Sequence, residues 1–377
     1  MMKKVAIVTF HRANNYGAVL QAHALSHAIN KLGAESEILD YRPRKMERFY
    51  HSFIPNTKNI KAFFVLLLYR IFRDVKTRRR FDEFRRNVMH ISSLIYSSRS
   101  ELKRSNNLYD IFIAGSDQIW NPDILNLNPK DDDLSYFLDF VESGSKKNSY
   151  AASIGISVLS DEIRRLYSEK LRDFSNISVR EHEAAKLLSG MLKRSVSAVC
   201  DPVLLLSAEE WGQYEIAYSL PQQNYILVYT VGGGRALLSY ADKLAEQLDC
   251  VVYTIQPPIV STTSYSKDYR LTGVGPAEFL WLMRHARAIV TTSFHGSAFG
   301  LLFRKELHIM LGDSLKSNHR NSRFDSLFRY FGLQVEQIEE IKASHGRFKV
   351  LQSGTSNLDV FEANRVIAQK FLQGLLT

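Results

Sequence analysis

The segment 291–297, with the sequence TTSFHGS, holds the residues of this chain best suited to chemistry. It follows a strand-like apolar run and begins a helix-like one, and a helix N-terminus offers unpaired N–H groups and a positive dipole to an anion. Gly296 would let a ligand approach the main chain closely, with Ser293 and Ser297 beside it. An imidazole suits proton transfer near neutral pH, so His295 is a candidate for that role. We predict an anion site with His295 as acid or base; a core histidine satisfied by the backbone is the alternative.

Basic residues elsewhere could supply the cations of such a site. Arg180 follows a strand and precedes a helix that begins at Glu181, so its guanidinium could hold a carboxylate or phosphate by paired hydrogen bonds. A surface ion pair with Glu181 or Glu183 fits the spacing equally well. Three further cations lie in the polar stretch after the His295 helix: Lys316, Arg320 and Arg323. They could complete a cationic pocket, although a solvated charge run explains at least one of them.

Polar and aromatic side chains that suit a sugar lie at two places in the first half of the chain. One group begins a helix and the other follows a strand: Asn15, Tyr16 and Gly17, then Ser116, Asp117, Gln118 and Trp120. Planar polar groups can pair with sugar hydroxyls, while an aromatic face packs on the C–H side of the ring. Asp117 is either a helper base or a cap for its own loop, and Trp120 is either a sugar contact or a core anchor.

These motifs need alternating strands and helices to position them, and the apolar periodicity predicts that alternation. Val5–Phe10 reads as a strand, 18–31 as a helix, and the run ending at Asp40 as a second strand, which makes a βαβ unit. The polar stretch 207–224 interrupts the series, and a second α/β series begins at Tyr225. The sequence therefore predicts an α/β protein with two Rossmann-like domains.

We place these domains at 1–210, on the acceptor side, and at 222–350, on the donor side. A C-terminal helix at 356–377 is expected to pack back on the first domain. Ligands of open α/β sheets bind beyond the carboxyl ends of the strands. The active site is therefore expected in the cleft between the domains.

Length and composition exclude several classes of protein. The 377 residues exceed the usual size of one domain, and 45% hydrophobic with 23% charged residues is typical of folded globular chains. The longest apolar run, Ala62–Tyr69, is far shorter than the ~20 residues of a spanning helix, and no signal-peptide pattern is present. We expect a cytoplasmic protein without a metal site, in which Cys200 and Cys250 are reduced core thiols.

The positive charge is concentrated in one block. Residues 58–104 contain 13 Lys and Arg against 4 Asp and Glu, which accounts for most of the net charge of +10. The block reads as helical, with an aromatic and aliphatic stretch beside its arginines, and such a helix can lie against an anionic membrane. The alternative is a helical excursion packed on its own domain with a solvated charged face. Nucleic acid is excluded as a partner because no binding motif accompanies the charge.

Five motifs, in this order, resemble those of the polysaccharide pyruvyl transferase family: NYGAVLQ at 15–21, GSDQIWN at 115–121, SVRE at 178–181, DP at 201–202 and SFHG at 293–296. The resemblance spans roughly Val5 to Leu333 and implies a glycosyltransferase-B-like fold. It also implies transfer of the pyruvyl unit of phosphoenolpyruvate to a hexose of a cell-surface glycan or its lipid-linked precursor. The products would be a pyruvate ketal and phosphate, and no organic cofactor would be needed.

The resemblance also implies roles for individual residues. His295 matches the family's acid/base histidine, Arg180 matches a phosphoenolpyruvate ligand, and Lys316 is a looser match to a downstream lysine. Many members have an arginine where this chain has Ser293, so one cation of the expected pocket is missing. That charge must then come from the cations after the His295 helix, or the donor is held differently.

Two other functions compete with this one. A nucleotide-sugar glycosyltransferase would have the same fold, and a cationic cleft would also fit its diphosphate. A glycan- or membrane-binding protein without catalytic activity is the third possibility. The presence of His295 and Arg180 argues against the third.

Overall fold

The computed structural model describes residues 2–43, 75–125, 127, 134–142, 144–155, 158–230, 235–255, 270–311, 322–343, 348–352 and 356–377. The first half contains a five-stranded parallel sheet in the order β3-β2-β1-β4-β5. Its strands are β1 Lys4–Val8, β2 Glu35–Tyr41, β3 Ile91–Tyr96, β4 Ile111–Ala114 and β5 Lys146–Ser149. A parallel pair, β6 Ser178–Val179 and β7 Ser197–Ala198, follows.

Helices cover this half of the chain between the strands. They are α1 Tyr16–Lys31, α2 at 75–87, α3 Arg99–Leu102, α4 Pro122–Leu125, α5 Asp161–Lys170, α6 His182–Leu192 and α7 Ala208–Gly212. Three 3-10 turns lie at Lys103–Ser105, Ser135–Phe137 and Pro202–Leu204.

The second half contains its own five-stranded sheet, in the order β12-β11-β10-β8-β9. Its strands are β8 Tyr225–Tyr229, β9 Val251–Ile255, β10 Ala288–Thr291, β11 Glu306–Met310 and β12 Phe348–Leu351, of which β12 is antiparallel. The helices are α8 Arg235–Leu248, α9 Pro276–His285, α10 Phe294–Leu302, α11 Ser322–Tyr330, α12 Val335–Ala343 and α13 Leu358–Leu375. Two Rossmann-like sheets, the first parallel and the second parallel except for β12, confirm the predicted fold class.

The last helix, α13, contacts both halves of the chain, while the predicted domain limits remain predictions. In α13, the Gln369 side chain donates to the Leu205 carbonyl at 3.4 Å, and Phe361 stacks on Phe331 with ring centroids 4.4 Å apart. Its other aromatic contact, Phe371 with Tyr150, is at 6.4 Å. The helix therefore spans the junction between the two sheets rather than lying on one of them.

The two halves share an apolar interface at the start of α1. One hydrophobic cluster includes residues of both sheets, and Tyr16, the first residue of α1, lies inside it. The Tyr16 ring stacks on Phe279 of α9 at 4.5 Å and meets Tyr229 of β8 edge-on at 5.7 Å. Its hydroxyl donates to the Val274 carbonyl at 2.9 Å. Burying such an aromatic ring contributes strongly to an interface, so α1 is fixed to the second half at its first residue.

The described part of the basic block, residues 75–104, is only partly a charged surface. Arg85 in α2 is buried and donates to the His11, Arg12 and Ala13 carbonyls at 2.8–3.0 Å and to Asn14 Oδ1 at 2.9 Å. Burial lowers the pKa of Arg85 to about 10. Arg85 therefore organises the loop that leads into α1, while residues 58–74 of the block lie outside the described residues.

Membrane-spanning helices and metal sites can be assessed only within the residues that the structure describes. Within them, no helix is long and apolar enough to cross a membrane, and no group of three or more His, Cys, Asp or Glu side chains is placed to hold a metal ion. Both cysteines are free; Cys200 is buried, as expected of a core thiol, and Cys250 is half-buried.

A buried histidine in α1 makes this fold sensitive to acid. His23 is 2% exposed, and neither of its ring nitrogens has a hydrogen-bond partner among the described residues. The ring is enclosed by aromatic neighbours, including Tyr214 at 4.4 Å and Phe84 at 5.7 Å. Burial, assisted by the charges of His27 and His90, lowers the pKa of His23 to about 3. The folded protein therefore holds this imidazole neutral.

Acidification should destabilise the protein through His23. Below pH ~6.5 the unfolded chain binds a proton at this residue that the folded chain does not bind, so stability falls as the pH decreases from about 6.5 towards 3. Between pH 6.5 and 5 the loss is about 2 kcal/mol of unfolding free energy. We expect wild type to lose that much more than His23→Met when urea unfolding is measured at pH 7.5 and 5.0. Equal losses would contradict the assignment.

Candidate active site

In each sheet the strand order reverses between two neighbouring strands. Ligands of open α/β sheets bind beyond the carboxyl ends of the strands at such a reversal. In the first sheet the reversal lies between β1 and β4, and in the second between β10 and β8. Just beyond β1 and β4, the Thr9 hydroxyl donates to the Ser116 carbonyl at 2.9 Å. Beyond β8 and β10, the hydroxyls of Thr230 and Thr292 lie 2.7 Å apart. The predicted site segments 116–120 and 291–297 therefore follow strands at the positions where open sheets bind ligands.

His295 lies where the N-termini of two helices meet. It is the second residue of α10, whose N-cap Ser293 accepts a hydrogen bond from the Gly296 N–H. The ring lies against α1, because a Cβ placed on Gly17 would be 2.0 Å from His295 Nδ1. On the other side, His295 Nε2 is buried and lies 3.4 Å from Asp201 Oδ2. The His295 side chain is 10% exposed, so the exposed part of the imidazole is away from Nε2.

Asp201 is the carboxylate that links this histidine to Arg180. Its Oδ2 accepts from Arg180 Nη1 at 2.8 Å, and its Oδ1 accepts from the Val203 N–H at 3.1 Å. Burial opposes ionisation of Asp201, but the nearby His295 and Arg180 outweigh burial and lower its pKa to about 2. Asp201 is therefore ionised at neutral pH. The sequence pointed to it only as part of the Asp-Pro motif and did not assign it a role in the site.

Arg180 lies beneath the cleft rather than on its surface. It is 1% exposed, and its guanidinium carbon lies 4.2 Å from the centre of the Phe294 ring. Its Nε is 3.8 Å from Glu181 Oε1. Burial opposes its positive charge, but the carboxylates of Asp201, Glu181 and Asp117 outweigh burial and raise its pKa. Arg180 thus neutralises Asp201, and the surface ion pair that the sequence also allowed is excluded by burial.

Gly296 and Ser297 are packing residues in this structure, which corrects their predicted contact with a ligand. A Cβ on Gly296 would be 2.4 Å from Thr291 Oγ1 and 2.9 Å from Tyr229 Cδ1, so the glycine lets α10 pack closely on its own sheet. The Ser297 hydroxyl is buried and donates to the Ser293 carbonyl at 3.0 Å. Neither residue therefore offers a free side chain or an open Cβ position to a ligand.

The aromatic residues predicted to contact a sugar are also internal. Trp120 is 0% exposed, donates its indole N–H to the Tyr136 carbonyl at 2.9 Å, and stacks on Phe137. Tyr16 is enclosed in the interface described above. Since no ring face of either residue is free, both are core anchors. Ser116 is likewise buried, with its hydroxyl bonded to the Ala151 carbonyl at 2.7 Å.

Three of the predicted first-half residues remain near the cleft surface. Asn15 is half-buried and caps α1 by accepting from the Ala18 N–H at 3.2 Å. Asp117 and Gln118 are half-buried, and Asp117 Oδ1 accepts from the Gln118 N–H at 2.8 Å. Burial is the main cause of the raised pKa of Tyr229, but the Asp117 charge adds to it, so Asp117 acts electrostatically on the second half.

The predicted cations after the His295 helix are only partly described. Lys316 and Arg320 lie outside the described residues. Arg323 is the second residue of α11, is half-buried, and has its guanidinium carbon 5.5 Å from the Phe324 ring centre.

A family model confirms the resemblance seen in the motifs. Residues 15–312 match the polysaccharide pyruvyl transferase model, and this range includes α1, Arg180, Asp201 and His295. The chain belongs to the polysaccharide pyruvyl transferase family. No curated protein matches the chain significantly.

A solved structure with a similar fold agrees with the glycosyltransferase-B-like fold of this chain. A putative UDP-N-acetylglucosamine 2-epimerase from Listeria monocytogenes aligns over 97% of this chain and 95% of its own, with 12% identity and a TM-score of 0.50. The UDP-GlcNAc 2-epimerase from Neisseria meningitidis, bound to UDP-GlcNAc, aligns over 98% and 100%, with 13% identity and a TM-score of 0.49. At 12% identity the similarity to the Listeria monocytogenes structure shows the fold alone.

Substitution of Gly17 tests the contact between the two helix N-termini. Gly17→Ala places a methyl group where the His295 ring now lies, so the ring or α1 must move. We expect a loss of about 1–3 kcal/mol in unfolding free energy, the usual range for overpacking. The matched control is Gly190→Ala in α6, where a Cβ meets no atom within 4 Å and alanine favours the helix. Equal thermal stability of the two variants would contradict the contact.

Proposed function

We propose that this protein transfers the pyruvyl group of phosphoenolpyruvate to a hexose of a cell-surface glycan or its lipid-linked precursor. The reaction would form a pyruvate ketal and release phosphate. Family membership supports this proposal, and one observation carries it: an imidazole held between an aspartate that is ionised at neutral pH and the start of α1, at the junction of both sheets. We infer that no organic cofactor takes part, since the donor itself carries the transferred group.

The pairing of His295 with Asp201 suits proton transfer. A carboxylate beside one ring nitrogen orients the imidazole and stabilises its protonated form, which leaves the other nitrogen to exchange a proton. Because Nε2 is buried against Asp201, we infer that Nδ1 is the exchanging atom. Asp201 would therefore be a positioning residue, and Arg180 would act through it by neutralising its charge.

The proposed reaction proceeds through a tetrahedral adduct. His295 delivers a proton to the methylene carbon of the donor while a sugar hydroxyl attacks the adjacent carbon, which develops oxocarbenium character. The attacking hydroxyl loses its proton to a base, for which half-buried Asp117 is the candidate. Phosphate then leaves as the C–O bond breaks and takes up the proton held by Asp117, and a second hydroxyl closes the ketal and returns its proton to His295. Two hydroxyls and one donor thus give one ketal and one phosphate.

Stabilisation of the donor's negative charge would come from several groups. The N-termini of α1 and α10 meet at the contact between Gly17 and His295, and each contributes a positive dipole end. Asn15, Gln118 and Ser293 are candidates for hydrogen bonds to donor or acceptor. Lys316, Arg320 and Arg323 remain our candidates for the cations, since Ser293 replaces the arginine found in many members of the family.

The central test replaces His295 and follows both products. With phosphoenolpyruvate and a glycan acceptor, wild type should release phosphate and add a pyruvate methyl signal to the sugar by NMR. His295→Gln should lower this rate about 100- to 10,000-fold, the usual contribution of a general acid or base, without unfolding the protein. The matched control is His285→Gln, an exposed histidine stacked on Trp281, which should keep full activity.

The same assay separates the competing functions. A nucleotide-sugar glycosyltransferase would release a nucleotide and leave phosphoenolpyruvate intact. Binding of glycan without turnover of any donor would favour the protein without catalytic activity. Full activity of His295→Gln would contradict the role of His295 in any of these reactions.

We further propose that the protein is cytoplasmic and that its basic block contacts anionic membrane lipid. Arg79 and Arg80 of α2 are 79% and 48% exposed, which supports an outward charged face. Vesicles containing anionic lipid should therefore sediment the protein, because several Lys and Arg side chains near such a surface attract it.

Neutralising the outward charged face of α2 should weaken sedimentation of the protein with anionic vesicles. The variant Arg78→Gln, Arg79→Gln and Arg80→Gln should be recovered with anionic vesicles several-fold less than wild type. A control with the same charge change on exposed residues of the first half is Arg165→Gln, Arg172→Gln and Lys193→Gln. Equal recovery with neutral and anionic vesicles would rule out membrane contact.

A further inference from the structure

A groove of about 490 Å³ lies between α2 and a loop of the second half. One wall is formed by the side chains of Lys76, Arg79, Arg80 and Glu83, and the other by Tyr218, Thr272 and Gly273. The three basic residues are spaced three and four positions apart, so they lie on one face of α2. The groove therefore has a cationic wall that faces a wall with polar and backbone atoms.

The charges of the cationic wall are only loosely compensated. Lys76 makes no ion pair within the described part of the chain. Arg79 pairs with Glu83 at 2.9 Å, and Arg80 lies 3.6 Å from Glu83 and 3.3 Å from Glu278. Three cations thus meet two carboxylates. Exposed ion pairs of this kind are weak, so a multiply charged anion can compete with Glu83 for its arginines.

The position of the opposite wall is fixed by contacts between the halves. A Cβ on Gly275 would be 2.5 Å from Arg80 Cβ, and one on Gly273 would be 3.2 Å from Lys76 Cβ, so the loop packs directly on α2. The Tyr218 hydroxyl donates to the Thr272 carbonyl at 2.8 Å and holds the loop from its other side. The groove is consequently a preformed feature of the junction.

The groove is adjacent to the candidate active site along the chain. Val274, the residue after Gly273, accepts the hydrogen bond from Tyr16, and Gly17 then contacts His295. A ligand in the groove would therefore lie along the same interface as the cleft, on a separate set of side chains.

We propose that this groove binds a phosphate or diphosphate group. Arginine side chains bind phosphate oxygens through forked hydrogen bonds, and a lysine adds a mobile point charge, which is the set of groups present on the cationic wall. The group can belong to a free phosphate compound or to a lipid headgroup. The proposal concerns binding alone and holds whichever reaction the His295 site performs.

Calorimetric titration with inorganic pyrophosphate at fixed physiological ionic strength tests this site. Wild type should bind saturably at the groove, and Lys76→Gln with Arg79→Gln should weaken binding about tenfold or more. The matched control, Arg86→Gln with Arg104→Gln, removes two charges of the same block outside the groove and should change the affinity less than twofold. His295→Gln should also leave the affinity unchanged, because the cleft is a different site.

Vesicles containing phosphatidic acid distinguish the source of the phosphate. Pyrophosphate binding that is lost in Lys76→Gln with Arg79→Gln, the groove variant, supports a free phosphate compound as the ligand. Vesicle binding that is lost in the groove variant and kept in the control, without saturable pyrophosphate binding, supports a lipid headgroup. The proposal would be overturned if wild type bound neither pyrophosphate nor the vesicles. It would also be overturned by equal losses in the groove and control variants, or by loss of pyrophosphate binding in His295→Gln.

Discussion

The buried negative charge of Asp201 is the constraint on which the candidate site depends. A carboxylate removed from water is costly unless cations and hydrogen bonds surround it, and removal of one partner leaves an uncompensated charge. Here Arg180 comes from the end of β6, the Val203 N–H from a 3-10 turn, and His295 from the start of α10. Because all three must converge on one carboxylate, the end of the first half is fixed against the helix that carries the histidine.

The second determinant is the approach of α1 to α10. A glycine at position 17 allows the His295 ring to lie on the helix backbone, and Tyr16 beside it is enclosed by rings of the second half. The polar motif that begins α1 thus serves two purposes, since Asn15 caps the helix while its neighbours form the interface. The cleft and the junction of the halves are consequently built from the same few residues, and displacement of α1 would alter both.

Periodicity and strand-end position predicted the two sheets and the place of His295 at a strand-to-helix turn, because these follow from local patterns along the chain. The orientation of single side chains did not follow from such patterns. Trp120 follows a strand and Tyr16 begins a helix, which are positions where ligand-binding aromatics occur, but each ring is buried by residues distant in sequence. Asp201 was missed as a site residue for the same reason, since its partners Arg180 and His295 come close only in the folded chain. Gly296 was expected to admit a ligand, whereas the tight contact with Thr291 explains it fully.

In the basic block, the positive charge that a partner can reach depends on which face of α2 carries each arginine. A count of charges along the sequence does not show this. In α2, Phe81, Phe84 and Arg85 are buried, whereas Arg79 and Arg80 are exposed. These positions alternate with the period of a helix, so one face supports the loop before α1 and the other borders the groove. A guanidinium with one carboxylate and four loop acceptors, as in Arg85, is a structural element, and counting it with the surface charge overestimates what is available to an anionic partner. Part of the net positive charge therefore builds the cleft, and only the outward part can attract ligands to it.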